Sequence, residues 1–369
     1  MKNLLLYLCK NIFIVVLLFL VGFIALILPA GSESVTVSAT QIGTQAGQEE
    51  MEKEVRKKKN KTIAVTISAA GDCTLGVDSR YYNNFNSYYR REGAGYFLKK
   101  VRKIFGKDDI TLVNFEGTLT NSTHRANKTY TFKGPAEYTK ILKKGSVEVV
   151  NLANNHSMDF GTSAFEDTKR ALRKDGIGYC HYGTIAYKKV KGVKAAFLGF
   201  NQLSGVSHRQ IKDTIKKAKK KKAKIIIVSF HWGIERDYYP DGIQKNLGKY
   251  AIDQGADLVI GHHPHVLQGI EKYKGRYIVY SLGNFCFGGN VNPSDKDTMI
   301  FQQTFYLKNG KLLKKKEVRV IPCSLSSVSH TNNYQPVPLS GGEKDRLIKK
   351  MNRLSKGMHI TIKSGGKVK

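Results

Sequence analysis

The chain has 369 residues, 41% of them hydrophobic, and a formal net charge of +32. That length and apolar content suit one large α/β domain or two smaller ones, and exclude a chain that stays unfolded. Five cysteines with no C-x-x-C pair exclude a zinc ribbon, and the lack of a G-x-x-x-x-G-K-[ST] loop excludes a P-loop ligase within these residues.

The eighteen residues from Ile12 to Pro29 carry no charge, which is long enough for a membrane span. Lys2 and Lys10 precede this run, so the positive-inside rule puts the N-terminus in the cytoplasm and everything after Ala30 outside. Residues 1–30 are therefore expected to form an uncleaved signal anchor, a transmembrane helix, rather than a removed signal peptide. The apolar run exceeds the roughly 7–15 residues usual for cleaved signals, and "LPAGSES" is a weak cleavage site. Residues 31–61, Ser/Thr/Gln/Gly-rich and then basic ("KEVRKKKNK"), read as a flexible linker.

From residue 62 onward, β-rich runs alternate with helical patterns. "TIAVTISAAGD" is a predicted strand ending at Asp72, "GYFLKKVRKIF" a helix, and "DITLVNFEG" a strand ending at Glu116. A helix over 135–145 starts with Pro135 in its first turn. "SVEVVNLANNH" is a strand running into Asn155 and His156, and the helix over 163–176 closes at Gly176. Two short strands over 183–201, a helix near 207–222 and the strand "AKIIIVSFHWG" ending at His231 follow. A helix near 242–254 precedes the strand "DLVIGHHPH"; "RYIVYSLGNF" is another strand, and "KNGK" marks a hairpin within 298–322. The alternation predicts an α/β domain with a largely parallel sheet over 62–330, followed by a C-terminal extension, 331–369, with a helix and a basic tail. Cys73, Cys180, Cys286 and Cys323 are dispersed and read as buried free thiols before any disulfide pairing.

Asp72, Glu116, Asn155, His231 and His263 all lie just past the C-terminal end of a predicted strand, the edge where open α/β sheets bind ligands. His263 and His265, two apart around Pro264, present both imidazoles on one side if the segment is extended, which makes half of a metal site. His262 then points the other way. Asp72 is a carboxylate whose burial calls for a cation, and Glu116 could bridge two metals. Asn155 offers a carbonyl oxygen; His156 is a candidate general acid, and Asp159 could hold its tautomer. Trp232, the single tryptophan, is core before it is a substrate platform.

"GDCTLG", "NFEGTLT", "NLANNHSMDFG", "SFHWG", "IGHHPHV" and "YSLGNF" occur in that order across residues 71–285. Together they resemble the CapA (PgsA) family, bacterial poly-γ-glutamate capsule synthesis proteins of the calcineurin-like metallophosphoesterase superfamily. The resemblance implies a four-layer α/β/β/α sandwich and two divalent ions (Mn, Zn or Fe). One ion would be held by Asp72, Glu116 and His265, the other by Glu116, Asn155, His231 and His263. It implies His156 as acid or phosphate contact, with Asp159 beside it, and Asn284 lining the site. Trp232 and Thr74 are further lining candidates; Thr74 stands where active phosphoesterases of the D-x-H type carry histidine. The implied role is membrane-anchored and extracellular: synthesis, export or surface retention of an anionic polymer such as poly-γ-glutamate, together with other capsule-synthesis membrane proteins. The positive charge agrees with a polyanionic partner other than nucleic acid, although runs such as "IKKAKKKKAK" read equally as a solvated helix face. The rival functions are a surface phosphoesterase acting on teichoic acid, lipid or nucleotide phosphates, and a non-catalytic polymer-binding scaffold.

Overall fold

The structure, a computed structural model, describes residues 62–369; the anchor and linker expected within 1–61 lie outside the described residues. The first half runs β1 (Thr62–Thr74), α1 (Phe85–Glu92), α2 (Arg102–Phe105), β2 (Ile110–Phe115), β3 (Thr118–Leu119), β4 (Lys133–Gly134), α3 (Thr139–Lys144), β5 (Val149–Asn151), α4 (Gly161–Lys174) and β6 (Gly178–Cys180). The second half runs β7 (Ala186–Val190), β8 (Val193–Asn201), α5 (His208–Lys220), β9 (Ile225–His231), α6 (Gly242–Gln254), β10 (Leu258–His262), β11 (Ile270–Tyr273) and β12 (Arg276–Val279). The chain closes with β13 (Asn284–Phe287), β14 (Asp297–Lys308), β15 (Lys311–Ser324), β16 (Val337–Pro338) and α7 (Gly341–Leu354).

Where the alternation alone predicts one largely parallel sheet, the chain builds two large mixed sheets, consistent with the α/β/β/α arrangement that the resemblance implies, and a small β3–β4 pair. The first has the order β16-β15-β14-β1-β2-β5-β6, with β13 also paired to β1; the second has the order β11-β12-β10-β9-β8-β7. Parallel strands fill the middle of each: β1, β2, β5 and β6 in one, β8, β9, β10 and β12 in the other. Antiparallel partners β14 and β15, and β7 and β11, flank them. A single strand carries no mark of which sheet it joins, so periodicity alone could not separate them.

Strand alternation sorts the side chains into three cores. Ile110 and Leu112 of β2 meet Ile225 and Ile227 of β9 in a core shared by both sheets. Val113 and Phe115 point the other way, onto Phe97, Leu142 and Leu172 of the helical side. Ile226, Val228 and Phe230 pack outward onto Ile211, Ile215 and Leu247 of α5 and α6. All seven residues of β9 are buried, as expected for a parallel strand covered on both faces. Residues 331–369 join the same packing: Leu347, Met351 and Leu354 of α7, with Ile362 and Val368, complete the intersheet core, and the described residues belong to one compact unit.

Two elements differ from expectation. The helix predicted over 95–105 is reduced to the single turn of α2, preceded by turns at Ala94–Val101, while α1 forms upstream and ends at Gly93. The run "RYIVYSLGNF" is not one strand. It leaves the second sheet after Val279 and joins the first at Asn284, turning at Gly283 with φ 68°. This crossing needs close backbone approach: a Cβ on Gly71 would sit 1.9 Å from the Gly283 carbonyl, while the Asp72 amide donates to that same carbonyl at 2.9 Å. Among the described residues no helix is long and apolar enough to cross a membrane.

Candidate metal centre

The crossing brings the C-terminal ends of strands from both sheets to one place. The first sheet contributes Asp72 near the end of β1, Glu116 just after β2, the loop Asn155–Asp159 after β5, and Asn284 at the start of β13. The second contributes His231, the last residue of β9, and His263 and His265 just after β10.

Glu116 sits at the centre. Its side chain is fully buried and neither carboxylate oxygen has a hydrogen-bond partner. Its Oε1 lies 3.8 Å from the Nε2 atoms of His156, His231 and His265 alike. Those separations are too long for hydrogen bonds. Burial, aided by the Asp72 carboxylate, pushes the Glu116 carboxyl up to about 8 against the pull of His265. An unpartnered carboxylate ringed by imidazole nitrogens is the donor set a divalent cation satisfies and protein groups alone do not.

Three overlapping groups of residues could hold a metal ion: Asp72, Glu116 and His265; Glu116, His231 and His263; and Glu235, His263 and His265. Within each group, ligand atoms from all members lie within 4.8 Å of one another. The Asn155 Oδ1 is 2.8 Å from His231 Nε2, beside the second group. Glu116 is common to the first two groups, so one carboxylate faces both candidate positions.

The histidines are poised as neutral ligands, with one exception. Burial, reinforced by His263, holds His231 well below the ordinary histidine range, and burial with His265 holds His263 down at about 4. Burial would lower His265 too, but Glu116 and Asp72 push it up to about 10. Asp72 shows the complement. Burial would raise it, yet His262 and His265 hold it well below the carboxylate range. A cation between these carboxylates would take over the role of the His265 proton.

Orientation comes from polar groups behind the site. Asn284 Oδ1 lies 2.8 Å from His265 Nδ1, which leaves Nε2 facing Glu116. Asn114 donates from Nδ2 to Asp72 Oδ1 at 2.9 Å, and Asn151 Nδ2 donates to Asn114 Oδ1 at 2.9 Å. His262 is fully buried, with Nδ1 3.4 Å from Asp72 Oδ1. The segment carrying His263 and His265 is not extended as expected. His263 has φ 96° and His265 φ 58°, a left-handed backbone that costs non-glycine residues energy and is typical of functional strain. The two rings still face each other edge-on at 5.7 Å.

His156 lies across from these ligands. Its Nδ1 is 2.6 Å from Asp159 Oδ2, and the other Asp159 oxygen takes a 2.7 Å ion pair from Lys128. The backbone amide of Phe132 donates to Asp159 at 2.7 Å. Asp159 is thus no helix cap; it fixes the His156 tautomer and turns Nε2 toward the site. Burial lowers the His156 pKa despite that carboxylate. A cleft lined by Tyr130, Phe132, His156, Glu235, His265 and Asn284 leads to this point.

Two candidate lining residues are corrected. Trp232 is fully buried, stacks on Phe230 at 4.5 Å, and donates Nε1–H to the Tyr280 carbonyl; its bulk fills the outer core under α6 rather than the cleft. Thr74 is also fully buried at the end of β1, with its hydroxyl unpartnered and away from the cleft wall. Sequence reasoning missed Asn114, Lys128 and Glu235. Asn114 left a signal, an amide inside the apolar run "TLVNF". Lys128 lies in the loop between β3 and β4 and Glu235 in the loop after β9, where no periodicity marks them.

Comparison with known proteins identifies the family. Residues 66–289 match the family described as bacterial capsule synthesis protein PGA_cap. The chain is 36% identical over 270 residues to the PGA biosynthesis protein CapA of Bacillus subtilis (strain 168), covering 67% of this chain and 69% of that one. It is 30% identical over 325 residues to the capsule biosynthesis protein CapA of Bacillus anthracis, covering 79% and 74% respectively. A solved structure of a hypothetical protein from Thermus thermophilus overlays 70% of this chain and 99% of its own at 12% identity, with a TM-score of only 0.43. The six motifs, the match over 66–289 and the two relatives converge on one conclusion: the chain belongs to the CapA family of bacterial capsule synthesis proteins.

Proposed function

We propose that this chain is a membrane-anchored, extracellular protein for the synthesis, export or surface retention of an anionic capsule polymer such as poly-γ-glutamate, with a dinuclear metal centre on an α/β/β/α scaffold of the calcineurin-like type. The observation that carries the metal reading is Glu116: a buried, unpartnered carboxylate with three imidazole Nε2 atoms at one distance. Asp72, Glu116 and His265 would hold one ion; Glu116, His231, His263 and Asn155 would hold the other. Ions so held supply Lewis-acid polarisation for hydrolysis of a phosphoester or an amide.

The chain's own residues account for the remaining chemistry. His156 keeps its Nδ1 proton toward Asp159 and turns Nε2 to the cleft, where it can take up or return a proton at the scissile bond. Lys128 holds the Asp159 carboxylate in place through its 2.7 Å ion pair. Asn284 holds His265 in the tautomer that frees its Nε2. The strained turn at His263 and His265 preorganises both rings before any substrate arrives.

One observation favours a non-catalytic scaffold as the second reading. Thr74 stands where a ligating histidine would complete the first position, leaving three protein ligands there. Elemental analysis of residues 62–369 separates the two. About two metals per chain, lost in a His263→Ala/His265→Ala variant and accompanied by turnover of a phosphodiester or shortening of polyglutamate, supports the hydrolase. No stoichiometric metal after incubation with Mn²⁺ or Zn²⁺ leaves the scaffold.

A further inference from the structure

A second cleft, lined by basic residues, lies away from the candidate metal centre. A cleft of about 910 Å³ opens between the β11–β12 hairpin, the C-terminal end of α6 and the start of β15. Its walls carry Lys272, Lys274, Arg276, Lys314, Lys315 and Lys316. These residues come from two stretches about forty residues apart in sequence, joined only by the fold. In the parallel pairing of β10 with β12, Tyr277 sits opposite Leu258, and His262 is four residues further along β10. At 3.3 Å per residue the cleft therefore lies about 13 Å or more from the histidine cluster, at the other edge of the sheet.

Two of these cations are already neutralised. Lys274 pairs with Asp253 at 2.6 Å, and Arg276 pairs with the buried Asp257 at 3.0 Å. Among the described residues, Lys272, Lys314, Lys315 and Lys316 have no carboxylate within ion-pair distance. Lys316 is half-buried, donates to the Gly275 carbonyl, and is lowered by burial and by the neighbouring Arg276 and Lys272 charges. The cleft thus holds these six basic side chains against two carboxylates, Asp253 and Asp257, and the Asp257 charge offsets only part of the repulsion on Lys316. Such an arrangement costs stability through self-repulsion and gives a focused positive potential. The lysine-rich end of α5 extends it: Lys219 donates to the Gln254 carbonyl at 2.6 Å, at the rim where Gly255 lines the cleft. The run "IKKAKKKKAK", ambiguous as sequence, continues this basic surface.

We propose that this cleft is a docking site for a linear polycarboxylate, separate from the metal centre. It rests on the part of the functional reading that concerns an anionic polymer, and not on catalysis. The chemistry favours a flexible carboxylate chain. The free cations are lysines, mobile point charges that meet successive carboxylates without a fixed register, whereas the one arginine suited to bidentate anion recognition is occupied by Asp257. The lysines come from two separate stretches that line one concave cleft, which a chain-like ligand can enter and a planar membrane surface cannot. A docking track there would keep product near the protein while its end reaches the cleft beside His156.

The test is fluorescence anisotropy of an end-labelled γ-linked glutamate oligomer with the full chain in detergent. Two charge-matched variants are compared: Lys314→Gln/Lys315→Gln/Lys316→Gln in the cleft, and Lys99→Gln/Lys100→Gln/Lys103→Gln on the exposed surface near α2. The cleft variant should bind about tenfold more weakly, the combined effect of two exposed pairs and one half-buried pair, and should lose much of the salt dependence. The α2 variant should stay within about twofold of wild type. Equal loss in both variants, or no loss in the cleft variant, overturns the cleft while leaving polymer binding intact. No binding by the wild-type chain overturns the polymer reading itself. Displacement by phosphatidylglycerol vesicles as effective as by unlabelled oligomer overturns the polycarboxylate in favour of a lipid surface.

Discussion

Replacing Glu116 by glutamine should stabilise the metal-free protein, although Glu116 lies at the centre of the proposed site. Its carboxyl is fully buried, makes no hydrogen bond, and is raised to about 8, against an ordinary glutamate value near 4.3. The sign follows from linkage. A carboxyl raised in the folded state carries no penalty below its unfolded pKa, and an increasing one as pH climbs toward the folded value. At pH 7 the gap of roughly 2.5 units corresponds to about 3 kcal/mol as an upper figure. The pull of His265 is already contained in that value, but the buried glutamine amide is left as unpartnered as the carboxyl it replaces, so a net gain of about 1–2 kcal/mol is expected. Urea denaturation of residues 62–369 in EDTA, at pH 5 and pH 8, measures it: the difference between Glu116→Gln and wild type should be small at pH 5 and grow by pH 8. Adding Mn²⁺ at about a hundred times its Kd should raise wild-type stability by about 2.7 kcal/mol and leave the variant nearly unmoved. A variant less stable than wild type at pH 8 without metal, or one stabilised by metal as much as wild type, would refute the reasoning that Glu116 is an uncompensated cation ligand.

Three further outcomes follow from the same structure. Asp159→Asn leaves the Lys128 ammonium without its carboxylate and removes the anion that raises His156; it should lower stability by about 1–3 kcal/mol in thermal melts and shift the His156 titration downward by NMR. Asp297 on β14 is held below its ordinary value by Arg346 and Lys350 of α7 despite burial, so its contribution is present above about pH 4 and lost as pH falls through the folded value. Arg346→Ala should accordingly cost about 1 kcal/mol at pH 7 in urea titrations, and progressively less below pH 4. Cys73, Cys180, Cys286 and Cys323 are buried and free, and burial raises each thiol; none should react with a disulfide reagent in native residues 62–369 at pH 8, and all four should react once the domain is unfolded.

Much of the site was legible because its residues sit at strand ends. Apolar runs such as "IIIVSF" announce buried strands, and a polar residue closing such a run marks the rim where sheet backbone ends and ligands can enter. His231 was found in that way, and Asp72 and Glu116 with it. His263 and His265 were found for a partly mistaken reason. Alternation in an extended strand was to align their rings; a left-handed turn around Pro264 aligns them instead. Lys128 and Glu235 escaped because loops carry no periodicity, and only the folded backbone brings Lys128 to Asp159 and Glu235 to His263.

Local chemistry thus determined the strand and helix order, the buried character of β9 and β10, and the identity of the residues able to ligate or transfer protons. Those properties depend on near neighbours in the chain, and near neighbours are visible in sequence. Tertiary structure alone decided which strands join which of the two large sheets, and that β12 and β13 belong to different ones. It also decided that a single carboxylate, Glu116, meets imidazoles from β9, from the loop after β10 and from the loop after β5. Contacts between residues scores of positions apart are selected by the burial of whole faces at once, and no short stretch of sequence records that choice.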